Sequence, residues 1–110
     1  MRRALIVARI RPGAEPDVAK VFADSDATSL PLEVGVRHRS LYSFGSLYMH
    51  FMELEGDVPA AMARAQSLPE FKRVSDNLRP FIDAYDPDTW RSPKDAMARA
   101  FYSWDAPQPG

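Results

Sequence analysis

The stretch from Asp26 to His50 sets an acid, a cluster of hydroxyls, two arginines and two histidines beside a run of aromatic and apolar residues. That mixture suits a site for a polar but largely aromatic small molecule. Arg37 and Arg39 stand two apart in a strand-like segment, so strict alternation puts both on one face, with Leu41 and Ser43. His38 then points the other way with Val36, Ser40 and Tyr42. A guanidinium stays protonated and offers a planar fork, which fits a carboxylate, an enolate or a row of ketone and phenol oxygens. The alternative is that both arginines are surface charges or partners of Glu33, Glu53 and Glu55 across a hairpin. His50, among Tyr48, Met49, Phe51 and Met52, is either a proton carrier near neutral pH or a hydrogen-bonded core residue. Asp26, next to Ser25, Thr28 and Ser29, is either a general base or a turn cap.

Several chemistries are excluded by what the chain lacks. With no cysteine there is no disulfide, thiolate nucleophile or zinc finger. Histidines at 38 and 50 on separate strands, without a spaced carboxylate pair, resemble no standard metal-ligand set. No GxGxxG or GxxxxGK[ST] phosphate cradle occurs, and no GxSxG nucleophile turn. Cofactor-free acid–base chemistry or simple binding remains. Fourteen basic and fifteen acidic residues give a net charge of −1, which leaves no electrostatic footprint for nucleic acid or anionic lipid. The run ALIVARI after Arg2 and Arg3 is too short for a signal segment or a membrane span. A cytoplasmic protein is expected, whose partner is a small molecule or a second copy of the chain.

The elements that must position these residues follow from periodicity. The 110 residues suffice for one domain, 1–110, with a frayed tail at 105–110. Ala4–Ile10 reads as a buried strand ended by Pro12 and Gly13. Val18, Val21 and Phe22 mark a helix of about ten residues from Glu15, followed by a loop at Ser25–Pro31. Val36–Phe44 and Leu47–Glu55 form a hairpin around Gly45-Ser46, a type II′ connection. Asp57 caps an alanine-rich helix, Ser67 to Pro69 interrupt it, and a second amphipathic segment carries Phe71, Val74, Leu78, Phe81 and Ile82, with Pro80 ending or kinking it. Asp83–Pro93 is a connection or a short extra turn, and Met97–Trp104 alternates as a final strand. The order βαββαβ predicts an α+β, ferredoxin-like split βαβ fold with a four-stranded antiparallel sheet and both helices on one face. Both alternating faces of the strands are apolar, so the uncovered face is expected to meet a second subunit in a barrel-like dimer or an apolar ligand.

Three motifs in order carry a resemblance along nearly the whole chain: Asp26 to Arg37 (DATSLPLEVGVR), Leu47 to His50 (LYMH), and Phe101 to Pro107 (FYSWDAP). Together they resemble the tetracenomycin F2 cyclase family of aromatic polyketide cyclases. The resemblance implies a dimeric ferredoxin-like fold and a cofactor-free intramolecular aldol closure with dehydration of a type II polyketide intermediate, free or tethered to a carrier protein. It implies Asp26, Arg39 and His50 as catalytic residues, with Arg39 clamping the oxyanion, and His50 or Asp26 carrying the proton. Ser25, Arg37, Tyr48 and Trp104 are the positions expected to contact substrate. One departure is visible: the family pattern has a histidine directly before the aspartate, where this chain has Ser25. A cofactor-independent monooxygenase and a non-catalytic module that directs polyketide folding are the competing functions.

Overall fold

The computed structural model of the protein describes residues 2–91 and 93–107. Its elements are β1 (Arg2–Ile10), α1 (Glu15–Asp26), α2 (Leu30–Val34), β2 (Val36–Phe44), β3 (Leu47–Leu54), α3 (Val58–Gln66), α4 (Pro69–Leu78) and β4 (Ile82–Asp83), followed by a 3₁₀ turn at Pro93–Ala96. The strands form one antiparallel sheet in the order β2-β3-β1-β4, the split βαβ arrangement of a ferredoxin-like α+β fold. Gly45, at φ +60°, supplies the positive dihedral at the first position of the β2–β3 turn, while Ser46 keeps a negative one, as a type II′ connection requires. Asp57 accepts a hydrogen bond from the Ala60 amide at 3.3 Å and so caps α3.

Two expectations about the elements are corrected. Asp26 does not lie in a loop: it is the last residue of α1, and a short helix, α2, follows where Ser25–Pro31 was expected to be irregular. Pro31, in the first turn of α2, explains this, because its missing amide proton costs nothing there. The second correction concerns the fourth strand. It is the two-residue β4, paired to Arg9 and Ile10, rather than Met97–Trp104. Met97 makes a single bridge to Ile6, and the segment beyond it carries Phe101, Tyr102 and Trp104 on the surface. Alternating apolar residues become a strand only when a sheet edge receives them. Here β1's outer edge is taken by β4 at its C-terminal end and bridged by Met97 at its middle.

Buried residues gather on the helix side of the sheet. One group joins Ala4, Met52 and Leu54 to Leu30 and Val34 of α2 and to Ala61 and Ala65 of α3. The other joins Ala8, Ile10 and Tyr48 to Val18 and Phe22 of α1. The opposite face is less covered, and Tyr42 and Phe44 on it are exposed.

The register of β2 against β3 contains the feature that orients the site. Val36 lies opposite Leu54, yet His38 lies opposite the next residue, Glu53, so Arg37 is an extra residue in a β-bulge. Had alternation run unbroken from inward-facing Val36, His38 would enter the core and Arg39 would face away. The bulge reverses the phase. Arg39 falls opposite buried Met52 and turns under the helices, while His38 stays on the open face, edge-on to Phe51. Arg37 therefore does not share a face with Arg39 as expected, and it pairs with Glu55 at 2.6 Å.

Gly35 fixes the start of this strand. It ends α2 in the left-handed region at φ +99°, and a Cβ there would sit 3.3 Å from both Arg64 Nη2 and the Glu55 carbonyl. Arg64 in turn donates to the Val34 carbonyl at 2.9 Å. Gly35→Ala is expected to lower the unfolding free energy by about 1–3 kcal/mol, measured by urea denaturation. An unchanged midpoint would show that the joint is not constrained.

Candidate active site

The interior charge network centres on Arg39. Its Nη2 lies 3.0 Å from Asp26 Oδ1, its Nε is 3.2 Å from both Asp26 oxygens, and its Nη1 is 2.8 Å from His50 Nε2. Its guanidinium carbon sits 4.7 Å from the centre of the Phe22 ring, a cation–π distance. Phe22 also meets His50 edge-on at 4.9 Å. One aromatic ring thus holds both polar side chains from the α1 side.

Local sequence explains why each group is there. Asp26 places a carboxylate at the C-terminal end of α1, where the helix dipole disfavours it and where the last turn holds no basic residue. A cation from β2 supplies the compensation. Asp26 is free for this because Thr28 makes the turn: its hydroxyl donates to the Ser25 carbonyl at 2.6 Å and accepts from the Leu30 amide at 3.2 Å. His50 comes from the inward face of β3 between Tyr48 and Met52, all three buried.

The histidine's protonation follows from geometry. An arginine only donates, so the 2.8 Å contact requires His50 Nε2 to accept and puts the ring proton on Nδ1. Burial, and then the neighbouring Arg39 charge, lower its pKa from 6.5 to about 3. No side-chain nitrogen or oxygen among the described residues is both occluded and unpartnered. The Nδ1–H accordingly keeps access to the cavity that His50 borders. Tyr48 beside it stays a neutral phenol, since burial raises its pKa well above the usual value despite the opposing effect of Arg39.

That cavity has a volume of about 430 Å³ and lies between the inner face of the sheet and the helices. It exists because the central strand offers small side chains, Ala8 foremost, and because the stripe Phe71, Val74 and Leu78 of α4 lines it rather than closing onto the sheet. The size and apolar wall suit a drug-sized planar ligand. Arg39, His50, Tyr48 and Ser25 line it, so four of the expected residues meet there. Asp26 does not line it but holds Arg39 from behind. Arg37 and Trp104 lie outside: the first is paired with Glu55, and the second is 68% exposed on the C-terminal segment. Two residues that bear on the site escaped the sequence reading. Phe22 read only as part of a helix stripe, and Trp90, which also lines the cavity, lay in an expected connection. Among the described residues no group of three or more histidine, aspartate or glutamate side chains could hold a metal ion.

Comparisons with known proteins cover nearly the whole chain. The sequence pattern described as polyketide synthesis cyclase matches residues 2–105. A polyketide synthase component of Streptomyces cyaneus, CurG, is 48% identical over 105 residues, covering 96% of this chain and 98% of its own length. Tetracenomycin F2 cyclase of Streptomyces glaucescens is 43% identical over 105 residues, 96% of this chain and 95% of that protein. The solved structure of that type II polyketide cyclase superposes with a TM-score of 0.89, covering 97% of this chain and all of the other at 42% identity.

The histidine makes stability depend on pH in a defined direction. Its folded pKa of about 3 lies below the unfolded 6.5, so below pH 6.5 the unfolded chain binds the extra proton. The contribution of His50 is complete above pH 6.5 and is lost as pH falls from 6.5 toward 3, by at most about 1.4 kcal/mol per pH unit. Urea titrations across this range should show that slope in the native protein and a shallower one in His50→Gln. Equal slopes would mean that His50 titrates normally.

Proposed function

The chain belongs to the polyketide synthesis cyclase family and is a type II polyketide cyclase, an enzyme of ring closure; from that premise we propose that its interior cavity performs an intramolecular aldol condensation followed by loss of water. The observation that carries this reading is the junction of Arg39 and His50 at the wall of an apolar cavity, with the guanidinium held by Asp26 and the imidazole by Arg39. We read residues 1–110 as one cyclase domain acting without a cofactor. No helix among the described residues is long and apolar enough to cross a membrane, and we place the enzyme in the cytoplasm, working on a free or carrier-tethered intermediate.

In an aldol closure an enol carbon attacks a ketone, the enol oxygen gives up its proton, and the ketone oxygen becomes an alkoxide. A methylene between two carbonyls is acidic and largely enolised, so water admitted with the substrate serves as proton acceptor and later as proton donor to the alkoxide. What the protein supplies is stabilisation of the oxygen that gains charge, by donors that need no reorganisation. Arg39 and the Nδ1–H of His50 fill that role, and His50 acts as a donor because Arg39 occupies its other nitrogen. Asp26 acts through Arg39, holding the guanidinium in place. The enclosing wall brings one pair of carbons together, a proximity effect. The hydroxyl then departs with an adjacent hydrogen as water, and enolisation of the remaining ring ketones leaves an aromatic ring.

Anaerobic incubation with a partly cyclised type II intermediate should give a product lighter by one water. Arg39→Ala and His50→Ala should each slow it by about 10²–10³-fold. Asp26→Asn, which keeps a hydrogen-bonding partner for Arg39, should cost less. A requirement for oxygen, or undiminished rates in both alanine variants, would overturn the assignment.

We also infer that two copies associate through the open sheet face, because Tyr42, Phe44, Phe101, Tyr102 and Trp104 leave aromatic surface in water. Sedimentation equilibrium should give twice the chain mass at micromolar concentration; a monomer throughout would refute this.

A further inference from the structure

The outer edge of β1 is covered in two places only among the described residues. β4 pairs with it at Arg9 and Ile10, and Met97 bridges it at Ile6, with the Ala98 amide donating to the Leu5 carbonyl at 2.7 Å. Between them Val7 and Ala8 face no strand. Their side chains point to opposite sides of the sheet. Ala8 lines the interior cavity, and Val7 lines a second pocket of about 230 Å³ on the other side, bordered by Tyr85, Asp86, Met97 and Ala98. Trp90 lines both. It therefore stands as the partition at an interrupted sheet edge, where two cavities on opposite faces approach each other.

Backbone hydrogen bonds shape the turn that carries Trp90. The amides of Thr89 and Trp90 both donate to the Asp86 carbonyl, at 3.2 and 3.1 Å, and the Asp88 amide donates to Asp86 Oδ1 at 3.0 Å. Asp86 thus closes a tight turn that presents the indole at the window. Arg39 and His50 enter the cavity from β2 and β3, at one side of the strand order, whereas Trp90 follows β4 in the chain and shares the outer pocket with Val7 of β1. A planar ligand anchored by its oxygens at Arg39 would extend across the sheet toward the indole.

We propose that Trp90 is a specificity-determining residue, a stop that sets how many fused rings or folded ketide units the cavity admits. This rests on the reading that the interior cavity holds the polyketide. Removing the indole would join the interior space to the outer pocket and lengthen the site without altering Arg39 or His50.

The test is calorimetric binding of two planar phenolic probes, dihydroxyanthraquinone with three fused rings and dihydroxynaphthacenequinone with four. Trp90→Ala should shift the ratio of their dissociation constants toward the four-ring probe by at least ~10-fold. Trp90→Leu should shift it less and Trp90→Phe little, and the leucine variant carries the comparison if the alanine variant does not fold. Tyr85→Ala enlarges only the outer pocket and should leave the ratio unchanged. An unmoved ratio in the Trp90 variants, or an equal shift in Tyr85→Ala, overturns the role of Trp90 while the cavity reading stands. Failure of the unsubstituted protein to bind either probe overturns both.

Discussion

A single arginine, brought under the helices of a small domain, organises the interior of this protein. Arg39 has only 13% of its side chain accessible, and a guanidinium removed from water to that degree must find its hydrogen bonds within the fold. Two elements are committed to it: α1, through Asp26 at its end and the Phe22 ring one turn earlier, and the inward face of β3 through His50. Each commitment has a local consequence. Asp26 tolerates the unfavourable end of a helix dipole, His50 is held neutral with its proton on Nδ1, and Phe22 packs against both Arg39 and His50. The result is a set of donors whose directions are fixed before any ligand arrives, which is the condition under which hydrogen bonds contribute most to an oxygen gaining charge.

The cavity is the second consequence of residue size and topology. The two groups of buried residues, one around α2 and α3 and the other around α1, share the sheet but are not pressed together across its middle. Alanines at positions 4 and 8 of β1 leave the central strand low, and α4 presents an apolar stripe that is nowhere fully buried. In a domain selected only for stability such a void would be expensive, because its lining loses contacts on one side. On the proposed function it is the reaction vessel, with fixed polar donors and aromatic and aliphatic side chains in its wall. The interrupted outer edge of β1, met among the described residues only by the short β4 and by Met97, comes from the lack of a full-length fourth strand.

Much of this was legible in the chain. Periodicity placed β1, α1, the β2–β3 hairpin and the two helices after it, because each has a clear apolar repeat and conventional punctuation by glycine, proline or aspartate. The motifs around Asp26, Tyr48-Met49-His50 and the terminal aromatic run pointed to the family, and the family comparisons agree. The fourth strand was misplaced for a physical reason: Met97–Trp104 has the alternation of a strand and Ile82-Asp83 does not, yet strand formation depends on which segment reaches a free edge, a property of the fold and not of the segment.

What the sequence determined by itself was the list of reactive groups, the absence of thiol chemistry, and the α+β order of elements, since these follow from residue types and from periods of 2 and 3.6. Which of those groups meet was decided only in three dimensions. Counting in twos put Arg37 beside Arg39, but one extra residue in β2 changed the phase, sent Arg39 inward to Asp26 and His50, and left Arg37 with Glu55. A bulge has no reliable sequence mark here, because its position is set by the register that Gly35 and the β2–β3 turn impose from the two ends of the strand. Likewise the histidine's tautomer, the enclosing cavity and the position of Trp90 in its wall depend on contacts between residues distant in the chain, and such contacts exist only once the sheet and helices have packed.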